Sequence, residues 1–202
     1  MKLLAFGDLH GSERHFLKLR EKAEHADLIV CAGDFSIFEH GYKKMIAKLD
    51  SLGKDMLVIP GNHESAKELE QACKGTKHLT SIHRKIKLML PYLFIGFGEG
   101  GFAFNDPDFE HFWKKSLGTI ENLRKQFPGV KAILLTHGPP YGTKLDDLGG
   151  SHAGCKSYTE FIKKEKPDAA ISGHLHENAG KEDSLGKTRL FNPGPAGKFI
   201  VI

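Results

Sequence analysis

Five short apolar runs, at residues 3–6, 28–32, 56–59, 132–135 and 169–172, constrain this chain most, because each is soon followed by side chains able to bind a metal. Runs of that length without polar alternation read as strands buried on both faces. Helical spacing fills the gaps between the first three. Ser12 can cap a helix reaching about His25, with Phe16, Leu19 and Ala23 as its buried stripe, and a second helix fits from about Glu39 to Ser51. Strand, helix, strand, helix implies a parallel sheet and an α/β class (α+β in some schemes), with the strand exits sharing one edge.

A short helix fits from Ser65 to Lys74, after which strand-like pieces crowd together at residues 79–83, 86–90 and 92–98, where antiparallel pairing is expected. Asp108 stands where it can cap a helix through Phe112, Trp113, Leu117, Ile120 and Leu123; that spacing marks an apolar face rather than a base-stacking platform. A polar, glycine-rich loop from Tyr141 to Gly154 is long enough to carry function, and a helix of about residues 156–166 follows it. The tail segments 187–190 and 198–202 read as a closing antiparallel pair. With no repeat or linker in view, residues 1–202 read as one domain, large enough to bury roughly 70% of its unfolded surface.

Composition excludes more than it selects. Three cysteines, with no Cys-x-x-Cys spacing, argue against a disulfide framework or zinc ribbon, and Cys31 reads as a core residue. The net charge of +4 is modest and the lysine pairs sit beside acids, so charge makes no case for an obligate nucleic-acid partner. The first apolar run is too short for a signal-peptide core and nothing reaches membrane-spanning length, so no membrane association and a reducing cytoplasm are the expectation.

The strand exits carry the chemistry: Asp8-x-His10, Gly33-Asp34, Gly61-Asn62-His63-Glu64, His137, and Gly173-His174-Leu175-His176. Carboxylates, an amide oxygen and imidazoles form a mixed oxygen and nitrogen set suited to manganese, iron, zinc, cobalt or nickel. The donors are too many for one ion. Two divalent ions about 3.5 to 4 Å apart, sharing a carboxylate, polarise a phosphoryl group and activate a bridging water for in-line attack. His63, beside Asn62, is placed to protonate the leaving oxygen as general acid.

With these motifs in this order, the chain resembles the calcineurin-like metallophosphoesterases along nearly its full length. The resemblance implies a four-layer αββα sandwich of two mixed β-sheets flanked by helices. It also implies that Asp8, His10, Asp34 and His176 hold one metal and that Asp34, Asn62, His137 and His174 hold the other, Asp34 bridging, with His63 catalytic. Protein Ser/Thr phosphatases share the tetrapeptide at 61–64 but carry an arginine after the second-motif aspartate, where this chain has Phe35. The segment His137-Gly138-Pro139-Pro140-Tyr141-Gly142-Thr143 is more similar to the small phosphodiesterase branch, which includes metallophosphoesterase-domain proteins active on cyclic nucleotides.

The expected activity is therefore hydrolysis of a small phosphoester, with a diester of a small or cyclic nucleotide preferred. A phosphomonoesterase, a nuclease, or a metal-binding scaffold are the alternatives. Arg14, Tyr141 and His152 are candidate substrate contacts, while His15, His25, His40, His78, His83 and His111 read as surface residues. Asn192-Pro193-Gly194 resembles a family tail motif and reads equally well as a plain turn.

Overall fold

The computed structural model describes residues 1–37 and 41–202. Its strands form two mixed sheets. The first runs in the order β11 (Lys198–Ile200), β1 (Leu3–Phe6), β2 (Leu28–Cys31), β3 (Met56–Val58) and β4 (Leu79–Ser81). The second runs β5 (Lys85–Met89), β6 (Tyr92–Phe97), β7 (Lys131–Thr136), β8 (Ala169–Ile171), β10 (Thr188–Phe191) and β9 (Glu182–Leu185).

Alternation along the strands builds the layers. Leu3 and Ala5 of β1 join Leu28, Val30 and Leu57 against Phe94, Ile133, Leu135 and Ile171 of the second sheet, which makes the central core. Leu4 and Phe6, on the opposite face, pack under α1 (Glu13–Ala23), α2 (Tyr42–Asp50) and α3 (Ala66–Cys73) through Leu19, Ile46 and Leu69. On the far side Leu93, Ile95 and Leu134 meet α4 (Pro107–Gln126) and α5 (Lys156–Glu165) through Phe109, Trp113 and Phe161. Helix, sheet, sheet, helix is the αββα sandwich that the resemblance implies. Ser12 caps α1 by accepting from the His15 amide, and Phe16, Leu19 and Ala23 are its buried face, as the spacing predicts.

Long-range pairing departs from expectation. The exits do not share one sheet: β1, β2 and β3 belong to the first and β7 and β8 to the second, and the donors meet across the sandwich. β4 is not part of an antiparallel group but pairs parallel with β3, and β6 pairs parallel with β7; only β5 and β6 make the expected antiparallel hairpin. The two tail strands do not pair with each other. β10 runs parallel to β8 and antiparallel to β9, which sequence reading missed, while β11 lies antiparallel to β1. The cap of α4 is Asp106, whose carboxylate accepts from the Phe109 amide, so Asp108 lies within the first turn and Pro107 takes the first helical position. His83 is not a surface residue, since only 11% of its side chain is exposed and its Nδ1 accepts from the Gly98 amide. His40 and the expected helix start at Glu39 lie outside the described residues.

Candidate metal centre

The loops after β1, β2 and β3 are laced together by their backbones. Asp8 N donates to Gly33 O at 3.0 Å, His10 N to Asp34 O at 2.9 Å, and His63 N to the Asp34 carboxylate at 3.0 Å. A Cβ at position 61 would sit 2.0 Å from Asp34 Oδ1, so only glycine lets the third exit approach the second this closely. The other sheet is tied in by His174 N, which donates to both oxygens of the Asp8 carboxylate at 2.9 and 3.0 Å. Asp8, His10, Asp34 and His174 all have positive φ, between 44° and 72°. Each such residue costs on the order of 1–3 kcal/mol, a strain that clusters where geometry serves function.

The donors converge in overlapping groups. Asp8, His10 and His176 form one, His10, Asp34 and His63 a second, and Asp34, His137 and His174 a third, each with one candidate donor atom per residue within 4.8 Å of the others. His10 Nε2 and His176 Nε2 approach to 3.0 Å. Asn62 Oδ1 lies 2.9 Å from His137 Nε2 and 3.1 Å from His174 Nδ1. Asp34 Oδ2 stands at the middle, 3.4 Å from His137 Nε2 and 3.8 Å from the Nε2 atoms of both His10 and His63.

His137 tests whether the set fits a cation. Its Nδ1 donates to the Ala32 carbonyl at 2.8 Å, which leaves the Nε2 lone pair facing Asn62 Oδ1 and the Asp34 carboxylate. Acceptors face one another at that distance only around a proton or a metal. Burial pulls the His137 imidazole down, but its hydrogen bond and charge interaction with Asp34 prevail and hold it above its ordinary value. Burial likewise pushes Asp34 up, yet His137 keeps it below the usual carboxylate range. Burial lowers His10, and lowers His174 to about 4, so both imidazoles are neutral at pH 7. Burial raises the Asp8 carboxyl. The residues present fit divalent metal ions, which compete for the same lone pairs that a proton otherwise occupies.

Of the candidate substrate contacts, Arg14 lies on α1, and Tyr141 and His152 lie in the loop between β7 and α5. Arg14 is exposed on the first turn of α1, and the hollow of about 320 Å³ beside Asp8 and His176 is lined by Ser12 and His15 instead. Tyr141 is half-buried between Phe104 and His152, at ring distances of 4.9 and 5.5 Å. His152 Nδ1 lies 2.9 Å from the wholly buried Asp146 carboxylate, which also accepts from the amides of Gly142, Thr143 and Gly154. The loop from Tyr141 to Gly154 is thus folded around one carboxylate.

Two positioning residues escaped the sequence reading. Glu64, buried, accepts from the amides of Asp34, Ser36 and Gly61 and from the Ser36 hydroxyl, all between 2.8 and 2.9 Å. Burial and the Asp34 charge push its carboxyl up, against the pull of those donors. Its signal was its place at the end of the 61–64 motif. Asn192, buried at the end of β10, donates from its side chain to Leu175 O, between the two histidines of the fifth motif. The turn at 192–194 therefore also buttresses the donor cluster.

A family model described as calcineurin-like phosphoesterase matches residues 1–178. The UPF0046 protein K07C11.7 of Caenorhabditis elegans is 26% identical over 216 residues, which cover 98% of this chain and 71% of that protein. Among solved structures, TT1561 of Thermus thermophilus superposes with a TM-score of 0.72 at 19% identity, over 96% of this chain and 90% of that one. A dimetal phosphatase from Danio rerio, LOC 393393, superposes with a TM-score of 0.61 at 11% identity, over 94% and 86%. At these identities the structural likenesses establish the fold.

Proposed function

The chain belongs to the calcineurin-like phosphoesterase family, and from that premise we propose that it is a two-metal phosphoester hydrolase that prefers diesters. The observation that carries this reading is the convergence of donors from five strand exits on the Asp34 carboxylate. Asp8, His10, Asp34 and His176 would hold one divalent ion, and Asp34, Asn62, His137 and His174 the other. Bound ions would polarise the phosphoryl group and supply an activated water. Asp34 keeps the two sets of donors in register and neutralises charge between them. His63 donates a proton to the leaving oxygen; support for this comes from its partly exposed ring, 3.8 Å from Asp34 and edge-on to His10.

The diester preference rests on charge. Phe35, wholly buried, follows Asp34 where an arginine would clamp a dianionic monoester, and among the described residues the ion pairs of Asp8 and Asp34 are with histidines. A monoanionic diester needs less compensation. The test is kcat/KM for bis-nitrophenyl phosphate against nitrophenyl phosphate, with metal-reconstituted protein at one pH. Faster turnover of the diester is expected; a clear monoester preference overturns the diesterase reading, and hydrolysis of neither overturns the hydrolase.

A further inference from the structure

The loop of residues 98–105, between β6 and α4, carries two exposed phenylalanines for which the donor cluster has no use. The loop is pinned along its length. Gly98 N donates to His83 Nδ1 at 3.0 Å, Glu99 N to Pro60 O at 2.8 Å, and Lys156 N to Phe104 O at 2.8 Å. In its middle, Gly101 lies so close to the fifth motif that a Cβ there would be 2.6 Å from His174 Cε1. The backbone is thus pressed against a candidate metal ligand, and the next side chain, Phe102, stands at the rim of the cluster.

Phe104 is already committed. Lys156 Nζ sits 4.1 Å from its ring centroid and Tyr141 packs against it at 4.9 Å. Phe102 packs against His174, ring centroids 4.5 Å apart and planes at 76°, and is otherwise open, with 81% of its surface exposed. A single exposed phenylalanine ordinarily says nothing. This one is held by a pinned loop beside an imidazole that faces the donor cluster, within reach of whatever a bound phosphoryl group carries.

We infer that Phe102 is a specificity-determining residue whose open ring stacks on a planar aromatic substituent, an aryl group or a nucleobase, of a phosphoester bound at the donor cluster. The inference rests on the phosphoesterase reading above and narrows its substrate class. Stacking of a base on an aromatic side chain is worth roughly tenfold to a hundredfold in affinity, and it tolerates any ring because every base has a flat face.

The test measures binding by calorimetry to the manganese-loaded full chain, comparing phenyl phosphate, adenosine monophosphate, methyl phosphate and inorganic phosphate. Phenyl phosphate and adenosine monophosphate should bind at least about tenfold tighter than methyl phosphate. Phe102→Ala, at an exposed position where folding is not at risk, should bring that ratio to within about twofold, and Phe102→Trp should restore it. A gain for adenosine monophosphate alone would identify the substituent as a base, and a gain for both as any flat ring. Equal binding of all four by the native protein, or a ratio that survives Phe102→Ala, overturns the inference and leaves the hydrolase reading standing. Failure of all four to bind overturns the inference, and if neither nitrophenyl ester is hydrolysed the hydrolase reading falls with it.

Discussion

Glu64 offers the sharpest test of how the centre is held, because one buried carboxylate accepts three backbone amides and a hydroxyl from two different strand exits. In Glu64→Ala the Ser36 hydroxyl can turn to another partner, but the amides of Asp34, Ser36 and Gly61 lose their acceptor. An orphaned buried group costs about 1–3 kcal/mol, and water entering the vacated space recovers part of that, so a loss of about 4 kcal/mol is expected. Against a total stability of about 5–15 kcal/mol this is a large fraction, equivalent to roughly 8–16 °C in Tm for a chain of this size. Glu64→Gln should cost about half as much. Its amide oxygen can serve Asp34 N and Gly61 N while its NH2 meets the Ser36 hydroxyl, leaving one donor opposed to another. The charge lost is one that burial and Asp34 already disfavour. Urea unfolding and elemental analysis would read both consequences, since the backbones of Asp34 and of the loop bearing Asn62 are held by this group, and both metals should weaken. A Glu64→Gln protein with native midpoint and native metal content would refute the reasoning.

The other predictions concern the donors themselves. Asp34→Asn should lower the affinity of both ions together and cost more activity than any other single ligand change, which metal content and turnover would reveal; retention of two ions would count against the bridging role. His63→Ala should slow hydrolysis of poor leaving groups about 10² to 10⁴ times more than that of nitrophenyl esters, with metals still bound, and equal losses would remove it as the acid. In the metal-free protein, burial depresses His10 and takes His174 from 6.5 to about 4, so the unfolded chain accepts protons that the folded one refuses. Stability should fall as pH drops from about 6.5 towards 4, partly offset by the raised His137, and His174→Asn should flatten the Tm profile over that window.

The apolar runs, the capped helices and every donor in the cluster were legible in the sequence, because each depends on neighbours along the chain. Ser12 caps a helix whose buried residues recur at helical spacing, and Asp8, Asp34, Asn62, His137 and His174 each follow an apolar run. Where capping signals were duplicated, as with Asp106 and Asp108, local reading chose wrongly by two residues. What only the tertiary structure decided was which strands lie side by side. Leu79–Ser81 suits a parallel or an antiparallel neighbour equally well, and the choice falls to the β3 edge that α3 delivers it to. The same holds for the tail, whose two strands are drawn to different sheets by different unpaired edges. The grip of Glu64 on the Asp34 amide, the buttress from Asn192 to Leu175, the bond from Gly98 to the partly buried His83 and the position of Phe102 against His174 all follow from that pairing. Each joins residues at least 15 positions apart by a contact that carries no signature in either local segment, and each exists because strand pairing within a sheet gathers the loops at its strand ends, while the closing of the two sheets joins the His174 amide to the Asp8 carboxylate.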